Sequence, residues 1–80
     1  MEGRYALHWE MLDKDGYLQA DCLGEFDSIE QCTLRAKEFG KFNKIHTRKA
    51  TLSQELVVFL IDDETLGVHN YCPKTQEFIQ

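Results

Sequence analysis

Near residue 27 the hydrophobic period of this chain changes from two to about 3.6, a switch that few small folds accept. From Arg4 to Leu12, the apolar residues Tyr5, Leu7, Trp9 and Met11 alternate with Arg4, His8 and Glu10. Alternate side chains of a strand face opposite ways, so this run predicts a half-buried strand. Leu18, Ala20, Cys22, Gly24 and Phe26 alternate with Gln19, Asp21 and Glu25 and predict a second one. The segment "FDSIEQCTLRAKEFGKF" then takes helical spacing, with Ile29, Cys32, Ala36 and Phe39 on one stripe. Asp27 or Ser28 caps its start, Glu30 or Gln31 completes a capping box, and Gly40 is the expected stop.

The D-x-D-G between the two strands invites comparison with a calcium loop. With Gly16 at the glycine position of such a loop, its first and last ligand positions fall on Met11 and Cys22. Neither side chain supplies the required carboxylate. The flanks are also strand-like where helices are needed, so DKDG reads as a hairpin tip.

Beyond the helix, "NKIHTRKATL" predicts a polar edge strand guarded by its lysines and arginine. The run "ELVVFLID" is apolar on both faces and predicts a central strand. "VHNYC" is the last expected strand, ended by Pro73, and "KTQEFIQ" is expected to form a short turn or fray. The order is ββαβββ: an α+β two-layer sandwich with one helix on a four- to five-stranded, mainly antiparallel sheet. Residues 1–80 form one domain, with fraying expected at 1–3 and 74–80. A single helix covers one sheet face, so a homodimer is one way to cover the other.

A chain of 80 residues buries only about 60–65% of the surface it exposes unfolded. A deep substrate cavity would compete with the core for the same few side chains. No phosphate-cradling glycine loop, nucleophile elbow or H-E-x-x-H occurs. His69 and Cys72 stand three apart on a predicted strand and therefore face opposite ways. No catalytic residue, cofactor or metal is expected. Cys22, Cys32 and Cys72 are odd in number and lack C-x-x-C spacing, which suits reduced thiols better than disulfides. A zinc set of these three with His69 lacks the closely spaced ligand pairs usual for structural zinc. The N-terminus "MEGRYALHWEML" has no signal-peptide pattern, and "LVVFLI" is far short of the roughly 20 apolar residues of a membrane span. The expected location is the cytoplasm, with no membrane contact.

Charge is the strongest pointer to function. Residues 1–30 carry a net −6, residues 31–50 a net +5, and residues 51–80 a net −4. Asp13 and Asp15 on one tip, with Asp62, Asp63 and Glu64 on another, can imitate phosphates. They would steer the chain toward a partner protein that has a basic nucleic-acid-binding groove. Trp9, Leu34 and Phe42 are the expected apolar anchors of that contact. The expected function is a non-catalytic acidic protein that binds a partner protein and blocks or modulates it. The alternative is an RNA- or DNA-binding module using Arg35, Lys37, Lys41, Lys44, Arg48 and Lys49, with Phe39 and Phe42 interleaved. The pI of about 5.0 weighs against that second reading. In size and fold class alone, the chain is similar to phage-encoded inhibitors of bacterial defence systems, including anti-CRISPR proteins. That likeness rests on no residue motif, and it implies a compact phage protein with charged projections.

Overall fold

The computed structural model describes residues 3–49 and 53–79. Its elements are β1 (Tyr5–Leu12), β2 (Leu18–Phe26), α1 (Ile29–Gly40), β3 (Val57–Asp62), β4 (Val68–Cys72) and β5 (Glu77–Ile79). The strands form one antiparallel sheet in the order β2-β1-β3-β4-β5, with α1 on one face. The protein is therefore α+β, of order ββαβββ. Among the described residues no helix is long and apolar enough to cross a membrane.

The first hairpin closes at DKDG. The Asp13 N–H donates to Tyr17 O at 2.8 Å, and the Gly16 N–H donates to Asp13 O at 3.0 Å. Pairing of β1 with β2 then runs Leu12↔Leu18 to His8↔Cys22, and resumes at Leu7↔Gly24. The extra residue, Leu23, is a β-bulge that reverses the faces of β2. Leu18, Ala20 and Cys22 consequently lie on the face away from α1, while Leu23 and Phe26 pack toward the core. The unbroken alternation expected across residues 18–26 does not survive this shift. Gly24 permits it by adopting φ 138°, a conformation that side-chain-bearing residues rarely take.

α1 begins as its sequence predicts. Ser28 is the N-cap: its Oγ accepts from the Gln31 N–H at 3.2 Å, and Gln31 Oε1 accepts from the Ser28 N–H at 3.2 Å. Its end differs from expectation. Gly40 is the last helical residue rather than a left-handed stop, and Lys41 caps with φ −70°. Glycine serves here by its small size, since a Cβ at residue 40 would lie 3.3 Å from Ile45 Cδ1. Cys32 and Ala36, both small, bring the helix close to the sheet. They meet Leu7, Val58, Leu60, Ile45 and Tyr71 in one buried cluster, flanked by Tyr5, Trp9, Phe39 and Phe78.

Two segments depart from the sequence reading. The described part of "NKIHTRKATL", residues 43–49, is not a strand; residues 50–52 lie outside the described residues. This segment straddles the two layers instead, with Ile45 in the core on the helix side and Arg48 on the opposite face. The fifth strand is Glu77–Ile79, from the tail expected to turn or fray, and it pairs with β4 through Tyr71↔Phe78. On the face away from α1, Arg48 lies over the Phe59 ring at 5.2 Å. Its Nη2 is 2.6 Å from Glu10 Oε2, and its Nε donates to Asn70 Oδ1 at 2.8 Å. His8 stacks on the same Phe59 at 5.4 Å. The chain thus covers the centre of its second face with its own arginine.

Leu60 is fully buried on the central strand. Leu60→Ala should cost about 2–5 kcal/mol, a large share of the stability of a domain this size. Urea unfolding should show a lower midpoint at an unchanged slope. A loss under about 1 kcal/mol would mean the core is not organised around β3.

Candidate functional site

The acidic residues separate into two ends of the sheet. Tyr5 pairs with Asp62 at one end of β1, and Leu12 leads into Asp13 at the other. Eight residues of strand place the two tips about 24 Å apart, so they do not form one continuous patch. Asp62, expected on the binding surface, is 5% exposed. Its two oxygens accept from Arg4 Nε and Nη2 at 2.9 Å each, and Oδ1 also accepts from the Glu64 N–H at 2.9 Å. The Arg4 guanidinium, with the Glu64 N–H, holds the Asp62 carboxyl well below the ordinary range. Asp62 is an architectural ion pair. Asp63 stays exposed, and Glu64, also exposed, sits 3.6 Å from Arg4 Nε.

Asp13 is likewise turned inward on its own loop. Its Oδ1 accepts from the Tyr17 and Asp15 N–H groups at 3.0 and 2.9 Å, and its Oδ2 accepts from Gln19 Nε2 at 3.0 Å. These donors, the Tyr17 N–H foremost, lower its pKa. Asp15 remains free at the exposed tip.

The basic block is sorted as sharply. Arg35 pairs with Glu38 at 3.4 Å, Arg48 with Glu10, and Lys49 with Glu55 at 3.0 Å. Glu55 also lies 3.3 Å from His46 Nδ1, and Lys49 beside it lowers its pKa. Among the described residues, Lys37, Lys41 and Lys44 have no acid within ion-pair distance. All three line one open groove of about 470 Å³, whose floor includes the buried Ile45 and Tyr71, and Pro73. Lys74, from the turn after β4, lines the adjoining hollow with Lys44 and Pro73.

Of the three expected anchors, Trp9 is half-buried and packs against the core. Leu34 and Phe42 are 66% and 83% exposed. They border neighbouring shallow grooves that share Arg35 and Glu38, so they flank one strip along the outer side of α1. The cysteines are scattered: Cys22 is exposed on β2, Cys72 half-buried on β4, and Cys32 buried, its thiol pushed up to about 11 by burial. Among the described residues no three His, Cys, Asp or Glu side chains come together to hold a metal ion. The chain matches no protein-family model, no curated protein and no solved structure.

The Arg4–Asp62 pair makes stability depend on pH in a defined direction. Asp62 titrates lower in the folded chain than its ordinary value of 3.8. The pair's contribution is therefore complete above that value and is lost as pH falls toward the depressed one. Asp62→Asn should lower the melting temperature at pH 7 and reduce the loss seen on acidification below pH 4. Superimposable melting-temperature profiles for the two proteins between pH 2 and 7 would contradict this.

Proposed function

We propose that this chain is a non-catalytic protein that binds a partner protein through the outer side of α1 and the residues just after it. The observation that carries this reading is the exposure of Leu34 and Phe42, 66% and 83%. Both lie off the apolar stripe that the helix buries, so neither contributes to the core. Large apolar side chains presented together on shallow, open grooves are the usual anchors of protein contacts. The Arg35–Glu38 pair between them supplies a polar rim.

Charge gives this face its orientation. Lys41 borders the groove beside Phe42, while the exposed acids Asp15 and Asp63 project from the two sheet ends, with Glu64 beside Asp63 drawn toward Arg4. A partner surface with an apolar pocket, an acidic margin near Phe42 and basic ground farther out would complement this pattern. Occupation of such a surface blocks or modulates the partner. That mode of action is shared by phage-encoded inhibitors such as anti-CRISPR proteins, to which the likeness is one of size and fold class.

Each anchor is expected to be worth about 2 kcal/mol or more, roughly 30-fold in affinity. The test is a tagged capture from nuclease-treated bacterial lysate by the natural chain and by a Leu34→Ala, Phe42→Ala variant. The natural chain should retain a stoichiometric protein that the variant loses, with the variant's thermal melt unchanged because both side chains are exposed. Equal capture by both would overturn the assignment of this face. Recovery of nucleic acid alone from untreated lysate, with no protein after nuclease treatment, would overturn the protein-binding reading itself.

A further inference from the structure

Nine lysines and arginines occur in the chain. Arg4, Arg35, Arg48 and Lys49 are each within ion-pair distance of a carboxylate. Among the described residues the other five, Lys14, Lys37, Lys41, Lys44 and Lys74, are not. Lys14 stands between Asp13 and Asp15 at the β1–β2 tip. The remaining four gather around the groove between the C-terminal turn of α1 and the β4–β5 hairpin. In a chain of net charge −5, this is a local concentration of lysines that have no close ion-pair partner among the described residues. From it we infer that this groove is a binding site for the phosphates of a single nucleic-acid strand.

Helix stabilisation does not account for the cluster. Lys37 and Lys41 complement the negative end of the α1 dipole, but that effect fades beyond the last turn. Lys44 lies past the helix, and Lys74 follows β4. No acidic residue lines the groove that Lys37, Lys41 and Lys44 share. In the adjoining hollow, the acid Glu55 pairs first with Lys49 and His46, and Lys44 acts on it only from a longer distance. Charge screening works in the site's favour, because at physiological salt a charge is felt over only about 8 Å. The acidic tips at the sheet ends therefore subtract little from the local field.

The cations left for a ligand around the groove are all lysines. Arginine's planar fork matches carboxylate and phosphate alike, but all three arginines are already engaged with a carboxylate. Lysine acts as a point charge that meets a phosphate from any direction. Lys37 and Lys41 are one helical turn apart, about 6 Å between Cβ atoms, and Lys44 joins their groove to the hollow that Lys74 lines. The groove is open to solvent, as access by a strand requires. Ile45 and Tyr71 beneath it are buried, so the contacts it offers fall mainly on the backbone of a strand rather than on its base edges. Binding is consequently tolerant of sequence and driven by counterion release.

The test is fluorescence anisotropy with labelled dT12 across a salt series. Four phosphate contacts on a single strand predict a log–log salt slope of about −3, or about 50-fold weaker binding at 200 mM than at 50 mM salt. Lys41→Ala with Lys44→Ala should halve that slope, leaving about a sevenfold change. Lys37→Ala with Lys74→Ala should do the same, which guards against a defect peculiar to one variant. Lys14→Ala, which removes the one unpaired lysine outside the groove, should leave the slope unchanged. No binding at 50 mM salt, or an unaltered slope in both double variants, would overturn the proposal. So would displacement of dT12 by polyglutamate as effectively, charge for charge, as by unlabelled dT12, because the groove would then be one for acidic protein segments.

Discussion

One twelve-residue helix has to serve five strands. At 1.5 Å per residue it is about 18 Å long, while five strands span about 19 Å from first to last. It reaches from β2 across to β5, and small side chains at Cys32 and Ala36 let it lie close to the sheet. The dry core is confined to what lies beneath it. Everything else about the chain follows from the shortage of cover. Ile45 is drawn under from the loop after the helix, and Tyr71 and Phe78 close one margin, 5.2 Å apart. Tyr5 and Trp9 close another side of the cluster. On the second face, with no second helix, the guanidinium of Arg48 lies over Phe59, fixed by Glu10 and Asn70.

That shortage also explains how the charges are divided. Arginine combines a flat, weakly hydrated head with a forked donor set, so it can cover an aromatic ring or reach a buried carboxylate at modest desolvation cost. Arg48 does the first and Arg4 the second, through Asp62. Lysine's compact ammonium holds its water more strongly and is left outside. The surface potential is consequently written by lysines and by the acids that no arginine has claimed. The exposed Arg35–Glu38 pair adds little to stability, as isolated surface pairs do. It still removes Arg35 from the field that a ligand meets.

Periodicity alone exposed the first hairpin, the capped helix and the central strand, because each buries one regular face or both. It failed where a segment's alternation serves another geometry. Ile45 and Arg48 point to different layers because the chain crosses from one to the other, and a strand pattern cannot be told from such a crossing. β5 has three residues, too few to show a period. The bulge at Leu23 was hidden because the residues around it are apolar on both parities. For the candidate surfaces, Leu34 and Phe42 were legible as apolar residues off the buried stripe. Trp9 was not separable from the core, since the alternation that revealed β1 places it inward. The Arg4–Asp62 pair joins residues 58 apart, and Lys74 sits in an acidic block along the chain. Only the folded hairpin returns it to the helix lysines.

A domain with so little cover leaves its unengaged side chains on the outside. Enclosing a ligand would take side chains from a core that already borrows from loops. The grooves of this chain are accordingly open ones, bordered by residues that the fold does not need. Leu34 and Phe42 touch no core contact, and Lys37, Lys41, Lys44 and Lys74 neutralise no buried carboxylate. Arg4, Arg48 and Asp62 are the reverse case, conspicuous in a charge count but tied into the architecture. Substituting members of the first group should leave folding intact, whereas changing the second group should perturb it. The distinction between a tied charge and a free one, rather than the net charge of any stretch, decides which residues here are available to a partner.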